Sequence, residues 1–272
     1  MKDIKQLLML ALGLVAIGLS FAPSVKADSI QQLLSSKVIK RIQKEGVLKA
    51  GVKQDVPNFG YFSAETHRYE GMEIDIARKI AKSLGVKVTF TPVTAQTREA
   101  VIDNGQVDIV IGTYTITPER QASYSFSIPY YTDEIGFLVN KASHFSSIKD
   151  MNGATIGVAQ GSTTKRAIEE YAKAHHLHFN FVQLGSYPEL AISLYAKRIQ
   201  AFSVDKSILS GYRSQKTEIL KQGFNTQSYG IASKQSNKAL TQYINKLLED
   251  WSKDGSLKKI YTKYDLTPAK SN

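Results

Sequence analysis

The segment from Gly71 to Val93, GMEIDIARKIAKSLGVKVTFTPV, changes its period partway along. Ile76, Ile80 and Leu84 fall on one helical face beside Ala77 and Ala81, and Gly85 supplies a stop. VKVTFTPV (86–93) then reads as a strand. Downstream, TREAVIDNG (97–105) reads as a short helix and VDIVIGTY (107–114) as a near-continuous apolar strand, the pattern of a strand buried on both faces of a parallel sheet. Upstream, VLKAGVK (47–53) is a further strand. Strand, helix, strand, helix, strand predicts an α/β unit.

The same order recurs. ATIGVAQG (154–161) and HFNFVQL (178–184) read as strands, as does IQAFSVD (199–205), with helices over 162–176 and 187–198 between them. Two extended stretches, 134–143 and 227–234, join the halves, and only helices follow, over 238–256 and 257–266. The topology expected is two α/β lobes with a ligand cleft between them, where strands end. Residues 28–138 and 233–272 form lobe 1, 139–232 form lobe 2, and the two crossover segments act as a hinge.

Residues 1–27 read as a secretory signal peptide. Lys2 and Lys5 precede an apolar run over 7–22, and Val25 and Ala27 suit cleavage after Ala27. A membrane anchor is the competing reading, but the run is short for a span of about 20 residues. The protein is therefore expected outside the cytoplasm. It has no cysteine, so neither disulfides nor a cysteine-linked lipid anchor is expected. The formal charge is +11, but the lysines are scattered and no basic-aromatic stripe appears, which argues against nucleic acid.

Charged and hydroxyl residues collect where the strands end. Lys53 follows the first strand, Arg98 the second, and Thr113, Thr115, Thr117 and Arg120 the third. In the second half these positions hold Ser162, Thr163, Thr164 and Asp205. Thr117 and Pro118 suit a helix start, which explains neither Thr115 nor Arg120. A guanidinium offers a two-pronged fork to a carboxylate. GSTT (161–164) before a helix turns backbone N–H groups toward an anion. Asp205 suits a helix cap or, facing Arg120, an ammonium receiver. A carboxylate receiver opposite an ammonium receiver fits an α-amino acid. Lys53 and Arg98, if they point inward, match a second carboxylate on its side chain.

GMEIDIARKIAKSLG, DNGQVDIVIGTYTITPERQASYSFSIPYY, IGVAQGSTTKRAI, IQAFSVDKSILSGY and QSYGI, in that order from about 45 to 265, resemble the amino-acid-binding proteins of ATP-binding-cassette importers, the family 3 solute-binding proteins. GVKQDVP and AQTR look most like the aspartate/glutamate-binding members. The resemblance implies the type II periplasmic-binding-protein fold, a monomer, and delivery of the ligand to a membrane permease. It places Arg120 and Thr115 on the α-carboxylate, Asp205 and Thr113 on the α-amino group, and Ser162, Thr163 and Thr164 as contacts from lobe 2. Lys53 and Arg98 would hold the side-chain carboxylate, with Tyr229 near the hinge. Glutamine-binding relatives carry an aromatic where this chain has Asn58, with Phe59 and Tyr61 close by.

The function expected is capture of aspartate or glutamate for import, without catalysis, cofactor or metal. A glutamine- or asparagine-binding member is the alternative, then a dehydratase-type enzyme on the same fold. An enzyme would need a poised acid or base, and the five histidines do not suggest one: His175, His176 and His178 sit at a helix end, His67 in a loop and His144 after the crossover. An adhesin is permitted by an exported basic surface but not indicated.

Overall fold

The computed structural model describes residues 29–269, so the expected signal peptide lies outside the described residues. Helices α1 (Ile30–Leu34) and α2 (Lys37–Glu45) lead into strand β1 (Val47–Val52). A small antiparallel sheet follows, of β2 (Asp55–Val56), β3 (Gly60–Ser63) and β4 (Arg68–Glu70). Then come α3 (Met72–Ser83), β5 (Lys87–Pro92), α4 (Arg98–Asp103), β6 (Ile109–Ile111), α5 (Pro118–Ser123) and β7 (Tyr124–Phe126). The second half holds β8 (Tyr131–Asn140), β9 (Thr155–Ala159), α6 (Thr164–His175), β10 (Asn180–Leu184), α7 (Tyr187–Tyr195), β11 (Ala201–Asp205), α8 (Lys206–Ser210), β12 (Thr217–Ile219) and β13 (Phe224–Tyr229). Strand β14 (Ala232–Lys234) and helices α9 (Lys238–Lys253) and α10 (Ser256–Lys263) complete the fold.

Two sheets define two lobes. The first runs β5-β1-β6-β14-β7, with β1 parallel to β5 and β6; the second runs β10-β9-β11-β8-β12, with β13 also on β8. The alternation of strand and helix thus yields the two-lobed type II fold. The crossings fall at 127–130 and 230–231, not at 138/139 and 232/233. Strand β8 is one continuous strand, and Tyr131 to Ile135 pair with Phe224 to Tyr229 in the second sheet.

Lobe 1 is closed by the C-terminal helices. Apolar residues of α9 (Leu240, Ile244, Leu248) join one core with Ile39 and Ile42 of α2 and Ile76 and Ile80 of α3. Among the described residues no helix is long and apolar enough to cross a membrane.

Candidate functional site

The cleft between the sheets receives the strand ends of both lobes. Asp205 closes β11, is buried, and occupies the N-cap position of α8. It does not cap. The N–H of Ser207 donates instead to Oδ2 of Asp133, at 2.9 Å, from the neighbouring strand β8. The Asp205 carboxylate accepts from the hydroxyl of Tyr229. Burial first, and then the charge of Asp133, push Asp205 above the usual carboxylate range. A carboxylate held in this way gains from a cationic partner.

Arg120 stands on the other lobe. Thr117 caps α5, accepting the N–H of Arg120 at 3.2 Å, with Pro118 in the first turn as expected. The guanidinium donates to the carbonyls of Thr115 (2.9 Å) and Gly161 (3.0 Å), the latter across the cleft. Arg98 lies beside it: the two guanidinium carbons stand 4.6 and 4.0 Å from the centre of the Tyr114 ring. Burial, then the charge of Arg98, lowers the pKa of Arg120 to about 10. Arg120 Nε also pairs with the partly exposed Glu99 at 3.6 Å. The other bonds of the two guanidinium groups go to neutral carbonyls, so two cations on one ring still form a receiver for an anion.

Lys53 and Arg98 are both buried in the cleft floor, but they are not unopposed cations. Lys53 pairs with Asp55 at 3.2 Å. Glu73, fully buried on α3, accepts the N–H of Thr113 and the hydroxyl of Tyr130, at 2.5 Å each. Burial raises its pKa to about 7, against those bonds and the fields of Lys53 and Arg98. Arg98 donates to the carbonyls of Gly112 and Thr113 at 3.3 and 3.1 Å. Four side-chain atoms here have no hydrogen-bond partner: Asp55 Oδ1, Glu73 Oε2, Arg98 Nε and Thr113 Oγ1. Thr113 also holds a left-handed φ of 46°, a conformation that costs a β-branched residue roughly 1–3 kcal/mol and collects at functional sites.

In lobe 2 the hydroxyls of Ser162 and Thr163 are engaged within their own lobe. The hydroxyl of Ser162 donates to the Ala159 carbonyl (2.7 Å) and that of Thr163 to Gln227 (2.8 Å), while Thr164 is buried at the start of α6. What this segment offers is the unpaired N–H groups of a helix's first turn. The aromatics near Asn58 sit in different surroundings. Phe59 is fully buried against Tyr131 and Tyr229, whereas Tyr61 is exposed. The aromatic that does enter the cleft is Tyr187 of α7, whose ring lies 4.7 Å from Nζ of Lys53. Glu73 and Tyr187 escape a linear reading, one as a first-turn acid and the other as an apolar helix residue.

Residues 48–267 match the family model described as bacterial extracellular solute-binding proteins, family 3. The chain belongs to this family. Among family relatives, it is 34% identical to a glutamine-binding protein of Geobacillus stearothermophilus, over 78% of this chain and 82% of that one. It is 33% identical to an ABC transporter glutamine-binding protein of Bacillus subtilis (strain 168), over 79% of each. A solved structure, an ancestral arginine-binding protein bound to glutamine, superposes with a TM-score of 0.73 at 32% identity, covering 80% of this chain and 97% of that one.

Proposed function

We propose that the protein captures glutamine in the cleft and delivers it to the membrane permease of an ATP-binding-cassette importer. Arg120, with the strand end at Thr113 and Thr115, receives the α-carboxylate, and Asp205 receives the α-ammonium. Backbone N–H groups of Thr163 and Thr164 close from lobe 2, that of Ser162 being taken by the Ala159 carbonyl at 3.3 Å, and Tyr229 holds Asp205 in place.

The observation that carries the choice of side chain is the mixture of donors and acceptors on the cleft floor. Lys53 and Arg98 can donate, while Asp55 and Glu73 can accept. A ligand carboxylate would be attracted by the first pair and repelled by Asp55 and by the ionised fraction of Glu73. A carboxamide carries one acceptor and one donor group, satisfies both kinds, and brings no charge to desolvate. The names of the two relatives support this alternative over aspartate or glutamate.

Titration calorimetry over the twenty amino acids tests it. Glutamine should bind tightest, with aspartate and glutamate weaker by about tenfold or more, since one charge-assisted bond lost or opposed is worth roughly 1.5–3 kcal/mol. Glutamate binding as tightly as glutamine at neutral pH would overturn the carboxamide reading. Glutamine recovered after incubation should be chemically intact; ammonia release would instead indicate an enzyme.

Binding should also release a proton. The ligand's ammonium stabilises ionised Asp205, whose pKa lies above its ordinary value in the free protein. Affinity should therefore fall as pH drops through that raised value, by at most about tenfold per pH unit. Calorimetry at pH 6 in two buffers of different ionisation enthalpy measures it. Equal heats in both buffers would mean that Asp205 is already ionised without ligand.

A further inference from the structure

Tyr187 is carried by lobe 2, yet it reaches the Lys53 ammonium on lobe 1, and only 4% of it is exposed. Its backbone has little room to retreat. Ser186 and Glu189 close a capping box around the first turn of α7, and Pro188 fixes that turn further. Phe202 and Tyr212 brace the ring, with centroids 6.1 and 6.4 Å away. Tyr212 is itself tied to lobe 1, donating its hydroxyl to the Asp55 carbonyl. The phenol of Tyr187 stands in the fields of Asp205, Arg98 and Asp55 and close to Thr113. It is thus near both the proposed ammonium receiver and the groups that meet the ligand's side chain.

We propose that Tyr187 is the lobe-2 wall of the side-chain subsite and sets the longest ligand side chain over which the lobes can close. The inference rests on the glutamine reading and adds the residue that enforces it. A braced ring on a capped helix moves only with its lobe. A side chain longer than a carboxamide must then hold the lobes apart and forfeit the contacts that closure brings.

The test titrates glutamine and γ-glutamylethylamide, which is glutamine extended by an ethyl group on its amide nitrogen. Each is measured against the parent, Tyr187→Phe, Tyr187→Leu and Tyr187→Ala, with thermal melts reporting that each variant is folded. The parent's preference for glutamine should drop by about tenfold or more in Tyr187→Ala, within the range for one or two methylenes against a pocket wall. Tyr187→Leu retains apolar volume if the alanine variant unfolds, and should show the same direction. Tyr187→Phe keeps the wall and should keep the ratio within about threefold. A merely structural role would weaken both ligands equally, so a ratio unchanged in Tyr187→Ala or Tyr187→Leu overturns the proposal. A parent that binds no glutamine overturns the functional reading and this proposal together, whereas a glutamine-binding parent with an unchanged ratio sinks the wall alone.

Discussion

Asp205→Asn should weaken glutamine binding by roughly a hundredfold or more while making the ligand-free protein more resistant to heat. The two effects have one cause. Asp205 is buried, makes no cap to α8, and has a hydrogen bond from Tyr229 and the charge of Asp133 for company. Its pKa is raised above the unfolded carboxyl value, so the folded state binds its proton more readily. The sign follows: as pH rises from the unfolded pKa through the folded one, ionised Asp205 costs the native state stability. Asparagine accepts from Tyr229 without that charge, so the free protein gains. The ligand loses its only proposed anionic partner, and leaving a buried charge unpaired costs roughly 3–5 kcal/mol, at about 1.4 kcal/mol per tenfold. Arg120→Ala should lower affinity comparably from the carboxylate end. Calorimetry and ligand-free melts at pH 8 decide it. Affinity within about tenfold of the parent would remove Asp205 from the site, and a lower melting temperature would make it structural.

The lobes were legible because apolar strands and amphipathic helices each have their own period, and GMEIDIARKIAKSLG shows the change within one segment. The crossings were less legible. Tyr131 to Asp133 look like the tail of an aromatic loop, and only pairing with residues about a hundred positions later makes them strand. The helices over 30–45 lie outside the alternation from Val47 onward, although Val38, Ile39 and Ile42 with a left-handed Gly46 make a short amphipathic helix with a stop.

The site divides along the same line. Arg120 stood out in the sequence because a capped helix start explains its neighbours and not itself. Asp205 could equally have been a cap; what settles its local role is that Asp133, from another strand, bonds the N–H that Asp205 would have taken. The charge of Lys53 and Arg98 was visible, but its balance was not. Glu73 sits at the start of α3, where an acid is ordinary, and only the packing of α3 under the Thr113 turn and Tyr130 brings it to the cleft floor. A count of cations at strand ends therefore suggested an acidic ligand; it left out the acids beside them, the buried Glu73 and the partly buried Asp55, on which the proposal of glutamine rests.

Gly161→Ala should impair closure and thereby binding, though Gly161 contributes no side chain. Its φ of +74° is one that glycine adopts freely, and a Cβ there would stand 2.7 Å from the carbonyl oxygen of Ala95 and 2.8 Å from Cα of Gln96. Ala95 and Gln96 belong to lobe 1 and Gly161 to lobe 2, so the collision exists only when the lobes meet. The backbone strain, roughly 1–2 kcal/mol for alanine, is present whether they meet or not and shows as lost stability. The clash penalises the closed state alone. Because the obstacles are backbone atoms, no rotamer relieves it, and overpacking of this kind costs typically 1–3 kcal/mol, about fivefold to somewhat over a hundredfold in affinity. Closure also brings the Gly161 carbonyl to Arg120 (3.0 Å) and Arg98 (3.5 Å), and a displaced loop gives up both contacts. Small-angle scattering separates this from a local defect. The parent's radius of gyration should shrink when glutamine saturates it, while Gly161→Ala should stay wider at equal occupancy. A variant that contracts as the parent does and binds with parent affinity would show that the loop yields, and that the tight approach of lobe 2 to Ala95 does not govern closure.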